Sequence, residues 1–379
     1  MAIKLFACGD VVNFTSNKSF VDDNLQNIIG GCDFAICNFE ASIKIESMNP
    51  IKKAGPHLYQ SNESISFLKE AGFNITSLAN NHIYDYGQNA LSATIKELRH
   101  NNIEFVGAGE SFEEAYQVKI LEKNDIRICL LACCENEFGC LFEKQDRGGY
   151  AWIFHDQIED NIREWKQKVD FIVLIVHAGV EDIQFPIKEW RDKYRRLCDI
   201  GVDVIIGHHP HVPQGYEKYN NGLIFYSLGN FYFDSGSFEN KSNDSYSVVL
   251  KLEKEKKIDF EIIYHKLVES QTRLVRKNDV SFNLENLNFL LGDGYEQRSD
   301  EISLKLFNEY YNDYYKLALG KITNKFGTIS LIKSFINKIL FPEKERKNRF
   351  LVLLHNIRID THRFVVQRAL SLISEKQNK

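Results

Sequence analysis

The chain repeats one pattern several times. A short apolar run ends in a glycine, an amide or an acid, and a stretch with helical spacing follows. Residues 3–8 form the first run, ending in Gly9-Asp10, and residues 33–38 form the second, ending in Asn38-Phe39-Glu40. Residues 73–79 form a third, ending in Asn80-Asn81-His82 with Asp85 and Gly87 close behind. Each run is short and bounded as a buried strand would be. Between them, a helix opens at Ser61-Asn62-Glu63 and stops at Gly72, and Gln88–Arg99 places Leu91, Ile95 and Leu98 on one helical face. Strand, polar loop and helix in succession are the units of a parallel sheet.

The middle of the chain continues the alternation. Ile103–Val106 and Ile126–Cys133 read as strands, and Glu135 to Gly149 as a polar rim. Residues 171–176 are the most apolar run and suit a strand buried on both faces. That run ends in His177-Ala178-Gly179, with Glu181-Asp182 beyond. A helix from about Pro186 to Asp199 leads to Val204-Ile205-Ile206 and then Gly207-His208-His209-Pro210-His211. Leu223–Tyr226 ends in Ser227-Leu228-Gly229-Asn230, and Tyr246–Leu252 with Ile258–Tyr264 reads as a closing hairpin. The pattern changes after about residue 265. Long helical patterns take over, which predicts two parts, 1–265 and a mainly helical 266–379.

Composition narrows this little. The 379 residues are 44% hydrophobic and 26% charged, ordinary for a globular chain, and the net charge of −5 argues against a binder of polyanions as a whole. No specific nucleic-acid signal is present. No apolar run reaches the about eighteen residues of a membrane span. Met1 to Asp10 is too short and too soon acidic for a signal peptide, so the expectation is a cytoplasmic protein whose eight cysteines stay thiols. The tail differs: Lys321 to Lys379 holds thirteen Lys or Arg against four Asp or Glu. A basic helical tail suits an acidic polymer, phosphates or peripheral contact with an anionic membrane; a solvated helical face is the alternative.

The candidate chemistry sits at the strand ends. In open α/β sheets ligands bind there. Asp10, Glu40, Asn81, His177, His209 and His211 all follow predicted strands and together form an N/O ligand set suited to Mn, Fe or Zn. Glu40 is the natural bridge between two ions roughly 3.5–4 Å apart. Asn38 shares a face with Glu40 in extended chain. His82 is left as general acid or as a clamp on the attacked group. Lys53 and His57 lie in a polar loop that suits an anionic substrate group. His208 belongs to the same histidine cluster as His209 and His211.

These blocks, with His177-Ala178-Gly179-Val180-Glu181 and Tyr226-Ser227-Leu228-Gly229-Asn230-Phe231, resemble the CapA family of capsule synthesis, associated with poly-γ-glutamate, across about residues 3–265. That family is similar in turn to calcineurin-like metallophosphoesterases. The resemblance implies a four-layer α/β/β/α sandwich with a C-terminal helical extension and one or two divalent metals at the strand ends. It assigns Asp10 and Glu40 as carboxylate ligands, Asn81 as an amide ligand, and His177, His209 and His211 as imidazole ligands. His82 matches the catalytic histidine, and Asn80, Glu181 and Asn230 the surrounding shell. It further implies a metal-dependent hydrolase acting on a phosphoester, phosphoanhydride or amide bond of an anionic metabolite or polymer, alongside polymer-synthesis proteins. The alternative is a metal-binding scaffold without catalysis. Two positions depart from the phosphoesterase pattern: Val12 stands where an Asp-x-His motif needs histidine, and Asn38-x-Glu40 replaces the bridging aspartate.

Overall fold

The computed structural model describes residues 2–234, 244–319 and 342–377. The chain divides into two compact units: Met1–Ile51 with His57–Asp293, and Lys52–Pro56 with Gly294–Lys379.

The first unit begins with β1 (Ile3–Val12), β2 (Phe34–Phe39), β3 (Ile75–Ser77) and β4 (Glu104–Val106), parallel neighbours in that order. Helices Asp23–Gly30, Ser64–Glu70 and Gly87–His100 make the crossovers, as parallel pairing requires. A small sheet starts with β5 (Ala108–Gly109). A second large sheet starts with β6 (Lys119–Lys123) and β7 (Ile126–Cys134). The small sheet is completed by β8 (Cys140–Leu141) and β9 (Gly149–Ala151). Then β10 (Phe171–His177), β11 (Val204–His208), β12 (Tyr216–Tyr219) and β13 (Gly222–Phe225) finish the second sheet in the order β12-β13-β11-β10-β7-β6. The chain returns to the first sheet with β14 (Asn230–Phe233), parallel to β1. The antiparallel run of β15 (Asp244–Glu253), β16 (Lys257–Val268) and β17 (Gln271–Leu274) extends that sheet from β1.

The two large sheets close on one apolar core. Leu5 and Ala7 of β1 enter it with Val173 and Ile175 of β10 and Val204 and Ile206 of β11. Ile172, Leu174 and Val176 are as buried but lie outside that cluster, as the two-residue period of a strand demands. Helix Lys188–Ile200 covers this outer face: its Tyr194 stacks on Tyr226 at 5.7 Å, and Gly222 leaves room for its Cys198. The architecture is the α/β/β/α sandwich expected from the resemblance.

The same helix is pinned by charge. Glu217 of β12 accepts bidentate hydrogen bonds from Arg191 and Arg195 and a bond from the Tyr226 hydroxyl. Burial alone would raise its pKa, but these partners hold it down to about 2. The folded pKa lies below the ordinary 4.5, so the stabilisation is present above that value and fades as pH falls toward 2. Glu217→Gln is expected to lower unfolding free energy by about 2 kcal/mol at pH 7, less than a fully buried pair would lose because the site is part-solvated. Urea unfolding of both proteins at pH 7 and at low pH checks this, with the gap narrowing at the lower pH.

Two boundaries differ from the sequence reading. β1 does not stop before Gly9-Asp10 but runs on to Val12, because β2 and β14 flank it on both sides; irregular register at Asp10 accompanies this. The expected boundary at 265 falls within β16, and the first unit continues through β17 and helix Leu284–Phe289. The second unit is helical over its described residues beyond Gly294: Tyr295–Leu306, Asn312–Ala318, Pro342–Arg358 and Asp360–Gln377, with a π-turn at Phe307–Tyr311.

Candidate metal centre

Strand register assembles the site. Asp10 stands opposite Asn38 on β2 and Asn230 on β14. The approach of β14 is close: a Cβ on Gly9 would lie 1.8 Å from the Gly229 carbonyl oxygen, so only glycine fits at position 9. In the second sheet His177 stands opposite His208. The C-terminal ends of the two sheets thus bring their polar residues to one place.

Asp10, Glu40 and His177, all fully buried, each offer one ligand atom within 4.8 Å of the others. Asp10 Oδ1 accepts from Asn38 Nδ2 at 2.8 Å and lies 3.3 Å from His208 Nδ1. Asp10 Oδ2 lies 3.4 Å from His211 Nδ1 and accepts from the His209 backbone N–H at 3.4 Å. His177 Nε2 is 3.0 Å from Asn81 Oδ1, 3.1 Å from His209 Nδ1 and 3.7 Å from Glu40 Oε1. His211 Nε2 is 3.8 Å from Glu40 Oε1, while its Nδ1 faces Asn230 Oδ1 at 3.0 Å. Asn80 holds the Glu40 turn in shape, donating to the Phe39 carbonyl at 2.9 Å.

The backbone is strained where these side chains are aimed. Ala41, His209 and His211 take φ values of 136°, 93° and 59°. Non-glycine residues hold such values only when the surroundings impose them, and they gather at functional sites.

Charge is unevenly settled here. Burial, followed by the charge of Asp10, pushes Glu40 well above the carboxylate range. Burial would raise Asp10 too, but His208 and His211 hold it well below. Burial, then His209, drives His177 well down, and burial takes His209 to about 4. His211 is raised to about 10 against its burial by Glu40 and Asp10. Neither carboxylate oxygen of Glu40 receives a hydrogen bond. A buried carboxylate without donors, facing imidazoles and a second carboxylate, is a poor arrangement for a protein alone and a good one around a divalent cation. The donor set therefore fits a metal ion.

The remaining expectations divide. His82 is nine-tenths buried beside the site, and its Nδ1 meets Asp85 Oδ2 at 2.6 Å. Glu181 is exposed, yet its charge is felt by Glu40, His209 and His211. One substrate candidate is engaged elsewhere. His57 is spent on its own loop, with Nε2 2.8 Å from the Ile51 carbonyl oxygen and its ring beside Tyr86. Lys53 belongs to the second unit.

Two further acids stand at the site. Glu135 and Glu137 follow β7 and are buried. Glu135 Oε1 accepts from the Gly179 N–H at 3.1 Å and lies 3.8 Å from His209 Nε2. Glu137 Oε1 accepts from Asn81 Nδ2 at 3.0 Å, which turns Asn81 Oδ1 toward His177. The signal was available: β7 is another strand whose end carries acids. Partners of metal-ligating groups typically matter by about 10–100-fold in affinity, so Glu137→Leu is expected to weaken metal binding by that order. Competition against a chelating dye, with Glu137→Gln as the near-normal control, checks it.

Sequence comparison bears on the same residues. Residues 4–235, which carry every proposed ligand, match the profile of the bacterial capsule synthesis protein PGA_cap. The PGA biosynthesis protein CapA of Bacillus subtilis is 31% identical over 257 residues, 68% of this chain and 67% of that protein. The capsule biosynthesis protein CapA of Bacillus anthracis is 32% identical over 223 residues, 57% of this chain and 54% of that protein; the chain thus spans about half of this relative's length. Among solved structures, NAD nucleotidase of Haemophilus influenzae superposes with a TM-score of 0.41 at 13% identity, covering 84% of this chain and 61% of that one, a likeness too loose to carry argument. With the profile covering well over half of its length and the site falling inside it, the chain belongs to the PGA_cap family of bacterial capsule synthesis proteins.

Proposed function

We propose that this capsule synthesis protein is a divalent-metal-dependent hydrolase of a phosphoester, phosphoanhydride or amide bond in an anionic metabolite or polymer, working beside polymer-synthesis proteins. The observation that supports this most is Glu40, buried with both carboxylate oxygens free of hydrogen-bond donors. Asp10, Glu40, Asn81, His177, His209 and His211 would hold the ion. A divalent ion there supplies Lewis-acid polarisation and lowers the pKa of water toward neutrality. The chain's own residues do the rest. Asp10 takes the His209 N–H and the His211 ring, fixing the loop that carries both imidazoles. Asp85, which also accepts from the Leu58 N–H, holds His82 by Nδ1, so Nε2 is the atom that gives a proton to the leaving group. Glu137 keeps the Asn81 carbonyl turned inward.

A second reading, a metal-binding scaffold without turnover, has one specific support. Val12, where the phosphoesterase pattern has histidine, is fully buried against Ala41, Leu58 and Phe233. It offers no ligand, which favours one firmly held ion over two. The test is turnover of phosphomonoester, phosphoanhydride and γ-glutamyl amide substrates by the Mn-, Fe- or Zn-loaded chain. The enzyme reading expects at least one class to turn over and His209→Ala to abolish it. A fully loaded protein inert toward all three classes would favour the scaffold.

A further inference from the structure

Beside the metal centre stands a row of aromatic rings that the chemistry above does not use. The ring of Phe14, just past the end of β1, lies 4.5 Å from that of Tyr59, and Tyr59 meets Tyr86 edge-on at 6.1 Å. Two connections tie this row to the site. Tyr86 follows Asp85, whose Oδ2 meets His82 Nδ1 and also accepts from the N–H of Leu58, the residue before Tyr59. Leu58 in turn packs with Val12 and Phe233, and the Phe233 ring lies 5.3 Å from that of His211. Phe14 itself is 40% exposed. One exposed phenylalanine needs no explanation, but this one is held in place. The Phe14 and Thr15 N–H groups donate to Asp234 at 2.6 and 3.0 Å, and Tyr59 backs the ring. Lys44 adds a charge. It is exposed, its Nζ lies 5.5 Å from the Tyr59 ring centroid, and among the described residues no carboxylate pairs with it.

We propose that Phe14, Tyr59 and Lys44 form a leaving-group subsite for a planar ring that carries one negative group. The hydrolase reading makes His82 the proton donor to the leaving group, so what adjoins the Asp85–His82 pair adjoins the leaving group; this step rests on that reading. The exposed face of Phe14 stacks the ring, and Lys44 takes the negative group. A flexible acidic chain has no flat face to offer. One lysine also serves one charge, not the many of a polymer, which would pass the exposed Glu181 as well. The substrate class is thus an aryl or heteroaryl metabolite rather than an acidic polymer.

Calorimetric titration of the metal-loaded full chain with three phosphonates, which resist hydrolysis, tests this. They are cyclohexylmethylphosphonate, benzylphosphonate and 4-carboxybenzylphosphonate. Benzylphosphonate should bind about two- to tenfold more tightly than the cyclohexylmethyl compound, the range of an aromatic pair, although the cyclohexyl ring is the more apolar. The carboxylate should add about two- to fivefold, as an exposed ion pair does. Phe14→Leu should erase the first gap and keep the second, Lys44→Gln should do the reverse, and Phe14→Tyr should keep both. Thermal unfolding should be unchanged in all three variants, because both side chains are exposed. Equal binding of the benzyl and cyclohexylmethyl compounds, or no binding of any of the three, would overturn the proposal. So would a first gap that survives Phe14→Leu or a second that survives Lys44→Gln. The readout is binding, so a loaded protein that turns nothing over yet shows both gaps would fail the hydrolase reading and keep the ring subsite.

Discussion

Glu40→Gln is expected to bind no metal and, in metal-free protein, to unfold at a higher temperature than wild type. The two effects have one origin. Glu40 is buried, its oxygens receive no hydrogen bond, and Asp10 repels its charge. In metal-free protein that carboxylate is a liability, and an unsatisfied buried polar group costs about 1–3 kcal/mol. A neutral amide of the same shape removes the repulsion from Asp10, and although it also gives up the attraction between Glu40 and a protonated His211, it should recover part of that cost. Around a divalent ion the same carboxylate is the central ligand. Loss of an outer partner costs metal affinity about 10–100-fold, so loss of the ligand itself should cost at least ~100-fold. Differential scanning calorimetry with and without EDTA reads both: metal should raise the wild-type transition and leave the variant's unmoved. A variant less stable than wild type in EDTA would mean Glu40 has a structural partner.

The second large effect is at His82. His82→Gln should lower kcat by ~10²–10⁴-fold, the range for a positioned general acid, with metal content unchanged. The distinction from Glu40 is geometric. His82 is held by Asp85 at 2.6 Å, whereas the rings of His177, His209 and His211 face Asp10, Glu40 and one another. Asp85→Asn removes the carboxylate that orients the ring and should give a smaller loss. Steady-state kinetics on the substrate class found active, alongside metal analysis, separates the roles. Loss of metal in His82→Gln would move this residue into the ligand set.

What could be read from the chain alone followed from one rule, that ligands gather where strands end. It placed Asp10, Glu40, Asn81, His177, His209 and His211 together because each follows an apolar run whose burial fixes its direction. The core strands were legible for the same reason: Phe171 to Val176 has no polar residue to suggest anything else. The same rule reaches Glu135 and Glu137, which follow β7 as His177 follows β10, but the polar, glycine-containing stretch to Gly149 makes them look like ordinary loop residues. His57 shows the opposite case. A basic residue in a polar loop carries no information about distant partners, and His57 turned out to bond its own neighbouring carbonyl. The first compact unit runs past residue 265 although β17 and helix Leu284–Phe289 are short and polar; what ties them to it is pairing with β16 and a hydrogen bond from the Tyr216 N–H to Asn288, neither visible in local periodicity. The Glu217 cluster with Arg191 and Arg195 is likewise a contact across elements.

The central claim is that the buried acids and imidazoles form a metal centre. Its most direct test is the metal content of the full chain purified without added metal, wild type beside His209→Ala. Near-stoichiometric Mn, Fe or Zn in the wild type, lost in a variant that remains folded, is the predicted result. No metal in wild type even after reconstitution, or equal metal in both proteins, would contradict it.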